Sequence, residues 1–132
     1  MKQVVTGLSL IVTLFLALPA SAEQAIKRTV LNQADLQGAA GMHVISAILD
    51  VAPGAFLSRH FHNGIEASIV LEGSMVQMPG AEPTMLATGS DIFELRNALH
   101  GGFTVIGPKP LRLFTVHIVD KGKPLMDGTQ QQ

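Results

Sequence analysis

The sequence predicts an all-β domain, a sandwich or a small antiparallel barrel, preceded by a short cleavable leader. Short runs of β-branched and aliphatic residues recur along the chain, and glycine or proline closes nearly every one. Nothing after residue 22 sustains the apolar period of a helix. The leader begins Met1-Lys2, continues as an apolar run from Leu8 to Leu18 broken only by Ser9 and Thr13, and ends in Pro19 and Ala20-Ser21-Ala22. A positive start, a short hydrophobic stretch and a small-residue site describe a signal peptide over 1–22, cleaved after Ala22. The run is shorter than the roughly 20 apolar residues that span a bilayer. Glu23, not cysteine, follows the cut, which argues against a lipid anchor, and the absence of a twin-arginine pair points to the general export route. The expected location is periplasmic or secreted.

Residues 23–41 read as an N-terminal arm, with an edge strand around Thr29-Val30-Leu31 and a loop at Gly38-Ala39-Ala40-Gly41. The barrel is expected over 42–119. Its first strand is His43 to Val51, HVISAILDV, rich enough in aliphatic residues to be buried on both faces or nearly so, and Pro53-Gly54 ends it. Phe56 to His62 reads as the next strand, Asn63-Gly64 as a tight turn, and Ala67 to Glu72 as the strand that doubles back. Met75 to Met78, Thr84 to Leu86 and Asp91 to Leu95 follow, separated by Pro79 to Pro83 and Thr88-Gly89-Ser90. Arg96 to Gly101 is a loop, and Phe103 to Ile106 and Leu111 to Val119 are the last strands. A polar tail occupies 120–132 and is expected to be mobile beyond Leu125.

Composition removes several functions. Without the leader, 110 of the 132 residues remain as one domain, and losing Lys2 takes the formal charge from −1 to −2. A nearly neutral chain with no basic cluster predicts neither a nucleic-acid partner nor, after signal cleavage, a membrane partner. With no cysteine there are no disulfides, thiolate ligands or thiol nucleophile, and with no tyrosine or tryptophan there is no phenolic acid or indole platform. Stability must come from the core alone, and a homodimer burying one sheet would help.

The chemistry is concentrated in Gly54 to Gly73, GAFLSRHFHNGIEASIVLEG. His60 and His62 alternate across Phe61, so on a strand their imidazoles leave the same face. Glu66, on the returning strand, can reach the same spot, and His100 in GSDIFELRNALHGG is a fourth candidate. Three imidazoles and a carboxylate suit one divalent transition metal among Mn, Fe, Co, Ni, Cu and Zn. Such a set leaves one or two positions open for a ligand.

These residues resemble the cupin superfamily. Gly54, His60, His62, Glu66 and Gly73 match every fixed position of the first cupin motif. Gly89 and His100 match the second, with Leu95 where proline is usual, Asn97 where glycine is usual and Thr104 where asparagine is usual. The resemblance covers about Met42 to Val119 and is closest to small single-domain bacterial cupins of the conserved-barrel type. It implies a double-stranded β-helix, or jelly roll, holding a metal through His60, His62, Glu66 and His100.

Strand parity predicts the lumen. With His60 and His62 inside, Phe56 and Ser58 join them, while Arg59 and Phe61 face out. Glu66, Ser68 and Val70 face in, and Ala67, Ile69 and Leu71 face out. Phe93 or its neighbours and Met75 or Met78 complete an apolar inner wall without lysine or arginine. The apolar outer face predicts the homodimer. His43 and His117 read as paired or surface histidines, with His117 within reach of the lumen as support for a ligand. Glu72 and Glu94 read as turn and strand-surface carboxylates, Asp91 as a turn cap and Arg96 as a solvated rim residue. Two classes of function follow. One is a metal-dependent enzyme on a small oxygen-chelating substrate, dioxygenase-like of the quercetinase type or a Lewis-acid isomerase or lyase, with Glu66 as a general base. The other is a non-catalytic exported barrel that binds a metal ion or small metabolite.

Overall fold

A computed structural model describes residues 25–128. The signal peptide expected over 1–22 and the tail at 129–132 lie outside the described residues. The strands are β1 (Ile26–Asp35), β2 (Met42–Val51), β3 (Phe56–Leu57), β4 (Gly64–Glu72), β5 (Ser74–Gln77), β6 (Thr84–Leu86), β7 (Asp91–Glu94), β8 (Phe103–Val105) and β9 (Leu111–Asp120). Strands β1-β2-β9-β4-β7 form a five-stranded sheet and β3-β8-β5-β6 a four-stranded one. Every pairing is antiparallel. The architecture is the small double-stranded β-helix that the sequence predicts.

Parity and register together decide what enters the lumen. In β4, Gly64, Glu66, Ser68 and Val70 are buried and the residues between them exposed. In β9, Leu111, Leu113, Thr115, His117 and Val119 are buried. The β4–β9 register sets Val70 beside Leu113, Ser68 beside Thr115 and Glu66 beside His117. Along these two strands the lumen therefore passes from apolar to hydroxylic to ionisable. At the apolar end, Leu49, Val51, Val70, Val105, Leu111 and Leu113 pack in one cluster. Each such buried side chain is worth about 1.5–3 kcal/mol, and in a chain without disulfides this cluster supplies most of what closes the barrel.

Several expectations are corrected. Phe56 to His62 is not one strand: β3 stops at Leu57 and pairs with β8, whereas β4 pairs with β7 and β9. The chain thus passes from the four-stranded to the five-stranded sheet through Ser58 to Asn63, and alternation slips on the way. Leu57 and His60 are both buried, while Phe56 and Ser58, though exposed, still line the cavity as expected. Asn63-Gly64 makes no hairpin. A Cβ at Gly64 would collide with the Ile118 carbonyl, so this glycine serves the close approach of β4 to β9. Of Phe93 and its neighbours it is Ile92 that joins the apolar inner wall, while Phe93 faces outward, 60% exposed. The tail does not leave the barrel at Leu125: Asp127 forms a backbone bridge with Phe61, and its carboxylate accepts a hydrogen bond from Asn63 Nδ2 at 2.5 Å.

Candidate metal centre

His60 and His100 face each other in an isolated antiparallel bridge, exchanging two backbone hydrogen bonds of 2.9 Å. This clamp joins the two motifs directly. The loop that delivers His100 depends on left-handed backbone at Asn97 (φ 61°) and Gly101 (φ 74°). Asparagine is among the few residues other than glycine that tolerate this region, so the departure from the cupin pattern at position 97 keeps the loop's shape. At Gly101 a Cβ would lie 2.7 Å from the Ser58 carbonyl and 3.2 Å from His60 Nδ1, so the loop packs its backbone against a candidate ligand.

The rings of His60, His62 and His100 stand 4.3–5.1 Å apart, with one nitrogen of each within 4.8 Å of the others. The outward nitrogens are accounted for by the backbone. His60 Nδ1 donates to Ser58 O at 2.8 Å, His62 Nδ1 to Leu125 O at 2.6 Å and His100 Nδ1 to Ala98 O at 2.9 Å. Each ring is thereby held in the tautomer whose Nε2 carries a lone pair. The Nε2 atoms of His62 and His100 are buried and lack any hydrogen-bond partner. Buried polar atoms are ordinarily satisfied. Orphaned Nε2 atoms on rings whose Nδ1–H groups are fixed by carbonyls are what histidine ligands to a metal display, so the residues present fit a divalent transition ion.

Glu66 lies at the edge of this trio. Its Oε1 accepts from Ser68 Oγ at 2.6 Å, while Oε2 is 2.6 Å from His62 Nε2 and 3.6 Å from His100 Nε2. The His62 contact does not have hydrogen-bond geometry, since that Nε2 has no partner. Two lone-pair atoms so close need a positive charge between or beside them, as two ligands of one cation have. The four expected residues are thus brought together, but as two overlapping groups: His60, His62 and His100 in one, and His62, Glu66 and His117 in the other.

The electrostatics follow from burial. Burial opposes ionisation of Glu66, but contacts from His100 and His62 and the Ser68 hydrogen bond outweigh it, so the carboxyl lies well below the ordinary carboxylate range. Burial lowers His60 further than its Ser58 hydrogen bond raises it, with His100 and His62 adding repulsion. His100 is also opposed by burial, yet Glu66 and the Ala98 carbonyl raise it overall. His117, fully buried, is pulled down to about 4, mainly by burial, with Glu66 opposing and His62 and Arg28 assisting.

Sequence reasoning favoured other positions for His117 and Glu94 and left Arg28 and Arg59 out of the lumen. His117 lies within the barrel, its ring 4.7 Å from that of His62. Alternation from Leu111 along β9 would have placed it there. Glu94 lines the cavity, with Oε2 3.9 Å from His100 Nδ1, because it is the register partner of Glu66. Arg28 and Arg59 also line it, correcting an inner wall without arginine and an outward Arg59; parity from Ile26 would have found Arg28. His43 is paired with Asp35 at 3.1 Å. Arg96 is held at the rim by Asp120 through two 2.8 Å hydrogen bonds.

Residues 13–84 match the family model described as Cupin, over half of the chain, and the chain belongs to the cupin family. No curated protein matches its sequence. The fold is similar to that of the DMSP lyase DddQ from Ruegeria pomeroyi DSS-3, at 17% identity and a TM-score of 0.59, covering 84% of this chain and 56% of that one. It is equally similar to a conserved protein with a double-stranded beta-helix domain from Klebsiella pneumoniae subsp. pneumoniae MGH 78578, at 14% identity and a TM-score of 0.59, covering 85% and 96%. A third likeness is to the polyketide cyclase RemF from Streptomyces resistomycificus, at 18% identity and a TM-score of 0.54, covering 88% of each chain. The chain spans little more than half the length of the lyase. At these identities the likenesses concern the fold.

Proposed function

We propose that this cupin is a metal-dependent enzyme acting on a small substrate that chelates through oxygen. The observation that carries the proposal is the pair of buried, unpartnered Nε2 atoms on His62 and His100, with Nδ1–H of all three trio histidines anchored to carbonyls. When bound, a divalent ion supplies Lewis-acid polarisation of a substrate oxygen or a place for dioxygen. His60, His62, His100 and Glu66 would hold it. Glu66 has a second role open to it, leaving the ion to take a proton from a bound substrate, and the contacts that keep it ionised would have to loosen for it to act as a base. A cavity of about 1110 Å³ adjoins these groups and has room for a small molecule. Proton abstraction in a lyase or isomerase uses Glu66 most directly. Dioxygenase chemistry of the quercetinase type, which the motif resemblance favours, is the second reading.

Elemental analysis by plasma mass spectrometry of protein purified without chelator is the first test, beside the His60→Ala/His62→Ala double variant. About one equivalent of Fe, Mn, Ni, Cu or Zn, lost in the variant, is the expected result. No metal in either protein overturns the metal centre. Turnover under nitrogen that Glu66→Gln abolishes identifies proton-transfer chemistry, whereas turnover with oxygen uptake identifies the dioxygenase. Retained metal with no turnover across flavonols, diketones and oxo acids identifies a binding barrel.

Export and dimerisation are part of the same proposal. The leader over 1–22 supports a periplasmic or secreted location, and N-terminal sequencing of the mature protein should begin at Glu23. Ile65, Ile69, Leu71 and Phe93 on the outer face of the five-stranded sheet, each at least 36% exposed, support a homodimer.

A further inference from the structure

Arg28 and His117 form a pair beside Glu66 that the proposed chemistry leaves unused. Arg28 Nη1 donates to His117 Nε2 at 3.1 Å and to Thr115 Oγ1 at 3.5 Å, and Nη2 donates to Met126 Sδ at 3.4 Å, so three contacts hold the guanidinium. An arginine side chain only donates, so His117 Nε2 carries a lone pair and the single proton of the neutral ring sits on Nδ1. Burial, which pulls His117 down to about 4, keeps that ring neutral near neutral pH. The trio histidines are the reverse case: their Nδ1–H groups meet backbone carbonyls and their Nε2 atoms carry the lone pairs. His117 is a donor among acceptors.

That donor is unmatched. His117 is fully buried, and its Nδ1 has no hydrogen-bond partner among the described residues, a costly condition for a polar group. The carboxylate placed to match it is that of Glu66. The two residues are register partners on β9 and β4, both directed into the barrel, and a ring nitrogen of His117 lies within 4.8 Å of a Glu66 oxygen. Glu66 also attracts both members of the pair, opposing the effect of burial on Arg28 and on His117. Its Oε2 is turned instead toward His62 Nε2 at 2.6 Å and His100 Nε2 at 3.6 Å, two lone-pair atoms that only a cation reconciles with it. Rotation of the Glu66 side chain between staggered conformations would exchange those neighbours for the His117 donor.

We propose that Arg28 and His117 are positioning residues for Glu66: the carboxylate rests against the ion until an oxygen-chelating ligand takes its place there, and the His117 Nδ1–H, its tautomer fixed by Arg28, then receives it. This rests on the metal-dependent reading above. A hydrogen bond to an ionised acceptor is among the stronger ones, and the guanidinium behind the ring adds a positive charge on the same side. The displaced carboxylate is therefore not left unpaired in the lumen. The pair supplies the loosening that general-base action by Glu66 requires.

Calorimetric titration of the full-length protein loaded with one equivalent of Zn, with maltol as the chelating probe, tests this. His117→Leu should weaken maltol about tenfold while Zn is retained, and His117→Gln, which keeps a donor, should restore part of that loss. In a Glu66→Ala background the same His117→Leu change should alter maltol affinity by less than about twofold, because no carboxylate remains to be received. An undiminished effect in that background overturns the proposal, since a merely structural role for His117 predicts it, and so does unchanged affinity in His117→Leu. Imidazole nitrogen NMR of the Zn-loaded wild-type protein needs no variant. The His117 proton is expected on Nδ1, and maltol should shift that resonance; a proton on Nε2, or an Nδ1 resonance that maltol leaves in place, overturns the proposal. Should His117→Leu not fold or Glu66→Ala lose Zn, this measurement decides by itself. Zn stoichiometry, measured on every sample, separates the two ideas: a wild-type protein that holds no Zn overturns the metal-dependent reading and this one with it, whereas retained Zn with any of the failures above counts against Arg28 and His117 alone.

Discussion

Gly101 and Asn97 carry the residue-scale consequences of the second motif. Both occupy the left-handed region in the loop that delivers His100, and Gly101 also packs against His60. Gly101→Ala should cost about 1–3 kcal/mol, from the conformational penalty and the contact with the Ser58 carbonyl, and should weaken metal binding through displacement of His60. Denaturant unfolding and a competitive Zn titration measure the two effects separately. Asn97→Gly should be neutral within about 0.5 kcal/mol, while Asn97→Val should destabilise by about 1–2 kcal/mol, because a β-branched side chain strains the same backbone. These two positions show how the site was legible. His60, His62, Glu66 and His100 were readable because their spacing is local or familial. His117 was named only as within reach of the lumen and Arg28 not at all, since their proximity to the trio depends on the register of β9 with β4 and on β1 lying beside β2.

Among the elements, the C-terminal segment after β9 has the most consequence for its size. Leu125 supplies the carbonyl that fixes the tautomer of His62, Met126 contacts Arg28, and Asp127 pins the segment to Phe61 and Asn63. Nothing in its polar composition marks it as part of the site, since a backbone carbonyl leaves no signature in sequence. Removing residues 125–132 should leave the sheets intact by circular dichroism and lower Zn affinity about 10–100-fold, the range for losing the partner of a ligating histidine. Unchanged affinity would show that His62 is oriented by its neighbours alone. The short β3 gives the complementary lesson. Apolar periodicity over Phe56 to His62 looked continuous, but the chain changes sheets there, and only long-range pairing reveals the break.

For the whole molecule, the pH dependence of stability follows from burying ionisable groups in one lumen. His117 is lowered to about 4 chiefly by burial, and His60 is lowered for the same first reason. Below about pH 6.5 the unfolded chain takes up protons that these folded groups refuse, so acidification favours unfolding. For His117 the loss accrues between about pH 6.5 and 4 and amounts to about 3 kcal/mol at most in the metal-free protein. His100, raised by Glu66 and the Ala98 carbonyl after burial is overcome, offsets part of it. Urea unfolding of chelator-treated protein at pH 7.5 and 4.5, compared with His117→Gln, should show a smaller pH dependence in the variant. The outer face predicts behaviour at the same scale: Ile69, Leu71 and Phe93 are 43–60% exposed, and light scattering at micromolar concentration should give a dimer mass. A monomer mass would remove the dimer from the proposal.

Short β-rich runs and glycine and proline punctuation were enough to determine an all-β fold, and the spacing of His60, His62, Glu66 and His100 marked a cupin-like barrel and the neighbourhood of a candidate metal centre. Those properties are local, or are set by side-chain alternation within one strand. The tertiary structure decided which face of each strand becomes lumen after the chain crosses between sheets. It also decided that Arg28, Glu94 and His117 enter beside the trio, and that a carbonyl from the tail orients His62. Each of these depends on contacts between residues far apart in the chain, where register and closure rather than composition fix the outcome.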